Sequence, residues 1–249
     1  MGTLVRHPKI TSLYKYCPIG EYQLEALKQR KIWYSKPAGF NDPFDTKFYV
    51  RRRRSRKFEH KLDSQKISTY LNKDISDEIL PLKRTPDELL CDFKRGIENL
   101  GILSLASSNT NLLMWSHYAS AHKGMCLEFK RNNNTALADD KKTKPMSYNN
   151  NYPSIQATSI LSKKDILSNK IRILHTKSKD WEYEQEWRHI VEQGDKLYPW
   201  PATLISVYFG CKADMQNIHL VKSIIADSNV KYYKAELYKS KFGIYFKKI

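Results

Sequence analysis

Hydrophobic and polar positions change their spacing along the chain, and each change predicts an element. ITSLYKYCP at 10–18 is rich in β-branched and aromatic residues and stops at Pro18, which predicts a strand, whereas YQLEALKQRK at 22–31 places Leu24 and Leu27 three apart, which predicts a helix. IWYS at 32–35 predicts a short strand, and GFNDPF at 39–44 a turn, because Asp42 precedes Pro43 and is pushed out of helical backbone. From about 50 to 90 the chain runs through RRRRSRK into polar, helix-compatible sequence, the pattern of a helical insertion or lid.

A helix over 92–99 ends at Gly101, ILSLASS at 102–108 follows as a buried strand, and NTNLLMWSHYASAHKG at 109–124 predicts a helix capped by Asn109 or Thr110 and stopped by Gly124. GMCLEFK continues as a strand, and Asn-rich 132–153 predicts a surface loop interrupted by a short KPMSY strand. Helical spacing returns over 154–173, ATLISVYFG at 202–210 is a strand, DMQNIHLVKSIIA at 214–226 a helix, and KYYKAEL with GIYFKK a closing strand pair turning near Lys241 to Gly243. Strands and helices alternate irregularly and end in β, so the expected fold class is α+β: a curved mixed sheet with packed helices, in one domain over 1–249.

Composition changes this picture in one respect. An apolar share of 41% and an aromatic share of 12% are ordinary for a globular chain, but 43 Lys and Arg against 26 Asp and Glu leave a net charge of +17, which concentrates anionic partners such as nucleic acid. The densest cationic run, Arg51, Arg52, Arg53 and Arg54, is the candidate nucleic-acid contact, since guanidinium groups clamp phosphates in bidentate fashion. Cys17, Cys91, Cys126 and Cys211 show neither C-x-x-C pairing nor finger spacing, so no structural metal is expected. No membrane span and no signal-peptide pattern stand out, and a cytoplasmic address without membrane contact is the expectation. Gly-rich phosphate loops are absent from the sequence, so any nucleotide is held another way.

Four clusters carry the candidate chemistry: LYKY at 13–16, FNDPFD at 40–45, LMWSHYASAHKGMCLEF at 113–129, and W-x-x-E-x-E-W-R at 181–188. In this order and spacing they resemble the bacterial domain-of-unknown-function 2971 family, from Leu13 to about Gly210. In the last cluster Glu184, Glu186 and Arg188 fall two apart and would share one face of a strand. Such an E-x-E strand is similar, more distantly, to that of ADP-ribosyltransferases. That resemblance implies NAD as substrate, with Glu186 beside the developing oxocarbenium and Glu184 acting on the acceptor nucleophile.

The same resemblance nominates Lys15 and Tyr16 of the first strand, Ser107 after the middle strand and Tyr118 of the following helix for the dinucleotide, with Asn41 and Asp42 positioning substrate from the FNDPFD turn. His117 joins them as a catalytic candidate, because imidazole titrates near neutrality. It implies a toxin or phage-defence effector that modifies a macromolecule, nucleic acid first, and a possible antitoxin or defence-system partner. Two other readings stay open: a non-catalytic nucleic-acid-binding module whose carboxylates pair with Arg188 and Lys177, and a metal-dependent nuclease using His117, His122 and acidic residues.

Overall fold

The computed structural model describes residues 7–51 and 85–249. In chain order its elements are β1 (Ser12–Cys17), α1 (Glu21–Lys28), β2 (Lys31–Tyr34), β3 (Tyr49–Arg51), α2 (Pro86–Glu98), β4 (Gly101–Ala106), α3 (Leu112–Tyr118), β5 (Met125–Lys130), β6 (Thr143–Pro145), β7 (Ser147–Asn149), β8 (Ser154–Gln156), α4 (Lys163–Leu174), β9 (Thr176–Ser178), β10 (Glu186–Val191), β11 (Lys196–Pro199), β12 (Leu204–Phe209), α5 (Met215–Ile225), β13 (Lys231–Leu237) and β14 (Ile244–Lys248). The fold is α+β. Among the described residues its largest sheet has eight strands in the order β14-β13-β12-β5-β1-β4-β10-β6. Only β12 and β13 pair in parallel there, and α5 supplies the crossover that a parallel pair needs.

Period-two alternation places the core on both faces. Met125, Leu127 and Phe129 of β5 join Leu13, Leu105, Val207 and Phe209 beneath Ile218, Val221 and Ile225 of α5, while Cys126 joins Tyr16, Ala106 and Trp115 on the opposite side. A third cluster packs Phe93 and Ile97 of α2 on Ile102, Ile173 and Leu174.

The ladder between β1 and β4 is short. Tyr14 pairs with Ala106, and four residues along β4 it is Ser35, beyond β2, that exchanges both backbone hydrogen bonds with Ile102 at 2.9 and 3.1 Å. Ser104 lies between, and its backbone groups turn the same way as those of Ile102, toward the space left between the strands. The Lys15 ammonium donates to the Ser104 carbonyl at 3.1 Å and bridges this gap.

Several expectations are corrected. The helix over 109–124 is capped by Asn111, whose Oδ1 accepts from the Leu113 and Met114 amides, and it ends at Tyr118 rather than at Gly124. It stops there because Ser120, Ala121 and His122 run through left-handed backbone, with φ of 47°, 49° and 70°. In segment 132–153 the expected KPMSY strand is present as two, β6 and β7, on either side of Met146, and a 3-10 turn at Ala136–Ala138 adds to it. Residues 154–160 form β8 and a 3-10 turn, and helix begins only at Lys163, capped by the Ser162 hydroxyl. Most of the expected insertion at 50–90, with Arg52, Arg53 and Arg54, lies outside the described residues. Among the described residues no helix is long and apolar enough to cross a membrane.

Candidate functional site

The space left by the parting of β1 and β4 is a cleft of about 870 Å³, walled by α1 and β2 on one side and by α3 and the start of β10 on the other. It is of the size that takes small organic ligands and cofactors. Lys15, Tyr16, Asn41, His117, Tyr118, Glu184 and Glu186 all line it, so seven residues nominated from the sequence converge. Ser107 and Asp42 are not in the lining. The Ser107 hydroxyl instead donates to the Gln185 side chain at 3.1 Å, and Asp42 closes its own turn by accepting from the Phe44 amide at 2.9 Å.

The expected E-x-E strand is corrected in detail. Glu184 ends a 3-10 turn, Gln185 takes left-handed backbone with φ of 46°, and β10 begins at Glu186. Glu184 and Glu186 still converge, but through a cation rather than through strand periodicity: Lys177 Nζ lies 2.5 Å from Glu184 Oε2 and 3.0 Å from Glu186 Oε2. Arg188, one strand step pair beyond, donates from Nε to Glu186 Oε1 at 2.8 Å and grips Asp45 with both terminal nitrogens at 3.0 and 2.5 Å. Its Nη1 also donates to the Leu174 carbonyl at 2.8 Å, and its guanidinium lies 5.0 Å from the Phe40 ring centre. Arg188 and Lys177 are nearly inaccessible, with side-chain exposures of 1% and 5%.

This burial decides the protonation states. Desolvation alone would push the Glu186 carboxyl up, but the Arg188 and Lys177 charges, with hydrogen bonds from Arg188 and Ser104, hold it down at about 2. Lys177 and Arg188 are in turn raised, because their carboxylates outweigh the cost of their own burial. Burial lowers Lys15, whose hydrogen bond goes to a backbone carbonyl, although Glu186 and Glu184 act to keep it charged. Tyr118 donates to Glu184 Oε1 at 2.5 Å and accepts from Asn41 Nδ2 at 3.4 Å, and burial followed by the Glu184 bond raises its hydroxyl.

The ion network sets three carboxylates (Asp45, Glu184, Glu186) against two cations (Lys177, Arg188), so the cleft floor presents negative charge, with Lys15 facing it across the gap. His117 is exposed on the last turn of α3, its ring 6.3 Å from those of both Tyr118 and Tyr183. Tyr16 points its hydroxyl to the Ser108 carbonyl at 3.0 Å and contributes its ring and backbone. Sequence reasoning misses Ser104 and Tyr148, and misses Asp45 as the partner of Arg188. Tyr148 reaches it from β7, where its hydroxyl accepts from the Glu186 amide at 2.7 Å. Among the described residues no group of three or more His, Cys, Asp and Glu is arranged to hold a metal ion, and the network explains this, since its carboxylates already pair with cations.

Residues 114–189 match a family model described as protein of unknown function (DUF2971). That stretch holds nearly all of the W-S-H-Y helix cluster and the whole W-x-x-E-x-E-W-R cluster, while LYKY and FNDPFD lie outside it and reach the same cleft in space. No curated protein and no solved structure matches the chain.

Proposed function

We propose that, in a chain whose residues 114–189 match the DUF2971 family model, a name that assigns no chemistry, the cleft is the active site of an ADP-ribosyltransferase-like enzyme that consumes NAD and modifies a macromolecule. One observation carries this reading: a carboxylate held ionised, a second carboxylate bonded to a tyrosine, and a lysine amine meet across the gap between β1 and β4. In the reaction, the bond between ribose C1′ and the nicotinamide nitrogen breaks, and its electron pair leaves on that nitrogen. The ribose gains positive charge, which the negative floor at Glu186 stabilises without reorganising. The acceptor oxygen or nitrogen bonds to C1′ and passes its proton to Glu184, directly or through Tyr118. Lys15 holds the pyrophosphate side of the ligand.

Net charge of +17 and the exposed Arg51 on β3 favour nucleic acid as acceptor, and a cytoplasmic site of action fits an enzyme that draws on NAD.

One observation favours a second reading. Both Glu186 oxygens are already taken, Oε1 by Arg188 and Oε2 by Lys177, as expected of a binding module whose carboxylates are structural. Mass-resolved nicotinamide release from NAD by wild type, Glu186→Gln and Lys15→Met, with and without DNA and RNA, separates the two. The enzyme reading predicts a fall of at least about 100-fold for Glu186→Gln and a raised KM for Lys15→Met, whose amine is outside the ion network. Equal release by Glu186→Gln, or none by folded wild type in any mixture, would leave the binding module.

A further inference from the structure

Away from the cleft, a second pocket of about 490 Å³ opens between the β13–β14 hairpin and the α3 region, with Leu112 at the start of α3 and His122 in the turn after it on one wall and residues 237–243 on the other. The His122 wall is built at a cost. Three successive non-glycine residues, Ser120 to His122, hold left-handed backbone, a conformation in which L side chains are strained. The turn is pinned by the His122 amide donating to the Trp115 carbonyl at 3.1 Å and by the Lys212 amide donating to the His122 carbonyl at 3.0 Å. Gly210 makes room for it, since a Cβ there would fall 2.0 Å from the His122 carbonyl oxygen. The His122 ring then lies nearly parallel to Trp115, with ring centres 6.5 Å apart, and its Nδ1 is buried with no hydrogen-bond partner among the described residues. Burial and the Lys212 charge lower its pKa, so the neutral ring is favoured, and with Nδ1 buried it is Nε2 that a ligand can meet.

The facing wall has the complementary chemistry. Phe242 at the hairpin tip is fully exposed at 101%, and Tyr238 is exposed with the Lys241 ammonium 4.2 Å from its ring centre. Lys239 and Ser240 stand exposed beside them. The open ring of Phe242 beside the ammonium groups of Lys239 and Lys241 matches a planar base on a phosphodiester chain. An acidic peptide would use the lysines and leave the rings unused. Bases in a duplex are already stacked, so the fit is to a single strand.

We propose that this pocket holds an unstacked base of a single-stranded nucleic acid. The base lies on Phe242, its edge pairs with His122 Nε2, and the neighbouring phosphates sit on Lys239 and Lys241. The site is independent of the NAD reading, and Glu186→Gln retains it.

The test is fluorescence anisotropy of labelled single-stranded RNA and DNA dodecamers and of a duplex, at several salt concentrations, on the full chain. Phe242→Ala, which removes an exposed ring and leaves the fold intact, weakens single-strand binding by about 5-fold or more. Replacing Lys239 and Lys241 with Ala lowers the log-log salt slope by about 1.4. Duplex binds more weakly than either single strand. Unchanged affinity in both variants, equal binding of duplex, or no binding by wild type overturns the proposal. Phe242-dependent binding to phosphatidylserine vesicles in preference to oligonucleotides would instead make the tip a membrane contact.

Discussion

At the floor of the cleft, Arg188 and Lys177 are buried and direct their donors at three carboxylates, whereas at the hairpin Lys239 and Lys241 stand exposed beside the open ring of Phe242. The same charge serves different ends in the two places. Buried and paired, it fixes the positions of Glu184 and Glu186 to within hydrogen-bond geometry and is little screened by salt, but removing one member strands the others without water. Exposed, it adds almost nothing to stability and supplies an attraction that salt erodes. Positioning therefore belongs to the floor and salt-dependent capture to the hairpin.

The contrast is broken most directly at Arg188. Arg188→Met leaves Asp45 buried without its cation and Glu186 with Lys177 alone, and should cost about 3–5 kcal/mol in denaturant unfolding. A loss under about 1 kcal/mol would mean that water reaches the network.

Acid should act on the buried groups in two steps. Burial holds His175 and His189 neutral, with pKa values near 4 against an ordinary 6.5, so the unfolded chain takes up their protons first. Their contribution is complete above about pH 6.5 and is lost as pH falls toward 4. Glu186, near 2 against an ordinary 4.5, contributes stability present above about 4.5 and lost as pH falls toward 2. Urea midpoints across this range should therefore fall twice, and Glu186→Gln should remove the lower step alone.

Smaller again is Tyr118→Phe. It deletes the hydroxyl bonded to Glu184 and Asn41, and should cost about 1–2 kcal/mol in the same unfolding measurement. Smallest is the replacement of Lys239 and Lys241 with Ala, expected to leave stability within about 0.5 kcal/mol. A larger loss would show that the hairpin lysines are structural, against the contrast drawn here.

Much of the scaffold was legible because its strands are short apolar runs bounded by turn residues. β1, β5, β12 and the closing hairpin stand where those runs placed them, and α1 and α5 where Leu and Ile recur at helical spacing. Lys15, Asn41, Tyr118, Glu184 and Glu186 were nominated and meet in one cleft. What stayed hidden was either non-local or unmarked by residue type. Asp45 and Arg188 are 143 residues apart, and nothing in FNDPFD distinguishes a turn aspartate from an arginine partner. That the Ser104 backbone turns to the gap, where Lys15 meets it, depends on which strand pairs with each half of β4. Left-handed Gln185, and the left-handed run from Ser120 to His122, contain no glycine to announce them. Among the C-terminal aromatics, Phe246 and Tyr233 are half-buried as alternation requires, while Phe242 belongs to the turn itself. Of the arginine run, Arg51 is exposed on β3.

On the proposed reading, NAD is held across the gap between β1 and β4. Calorimetric titration of NAD into wild type and into Lys15→Met tests it most directly, because Lys15 bridges that gap and is not a member of the ion network. One site in wild type, weakened at least about 10-fold in a Lys15→Met protein of unchanged melting temperature, is the predicted result. Absence of NAD binding by wild type, or equal binding by the two proteins, would contradict it.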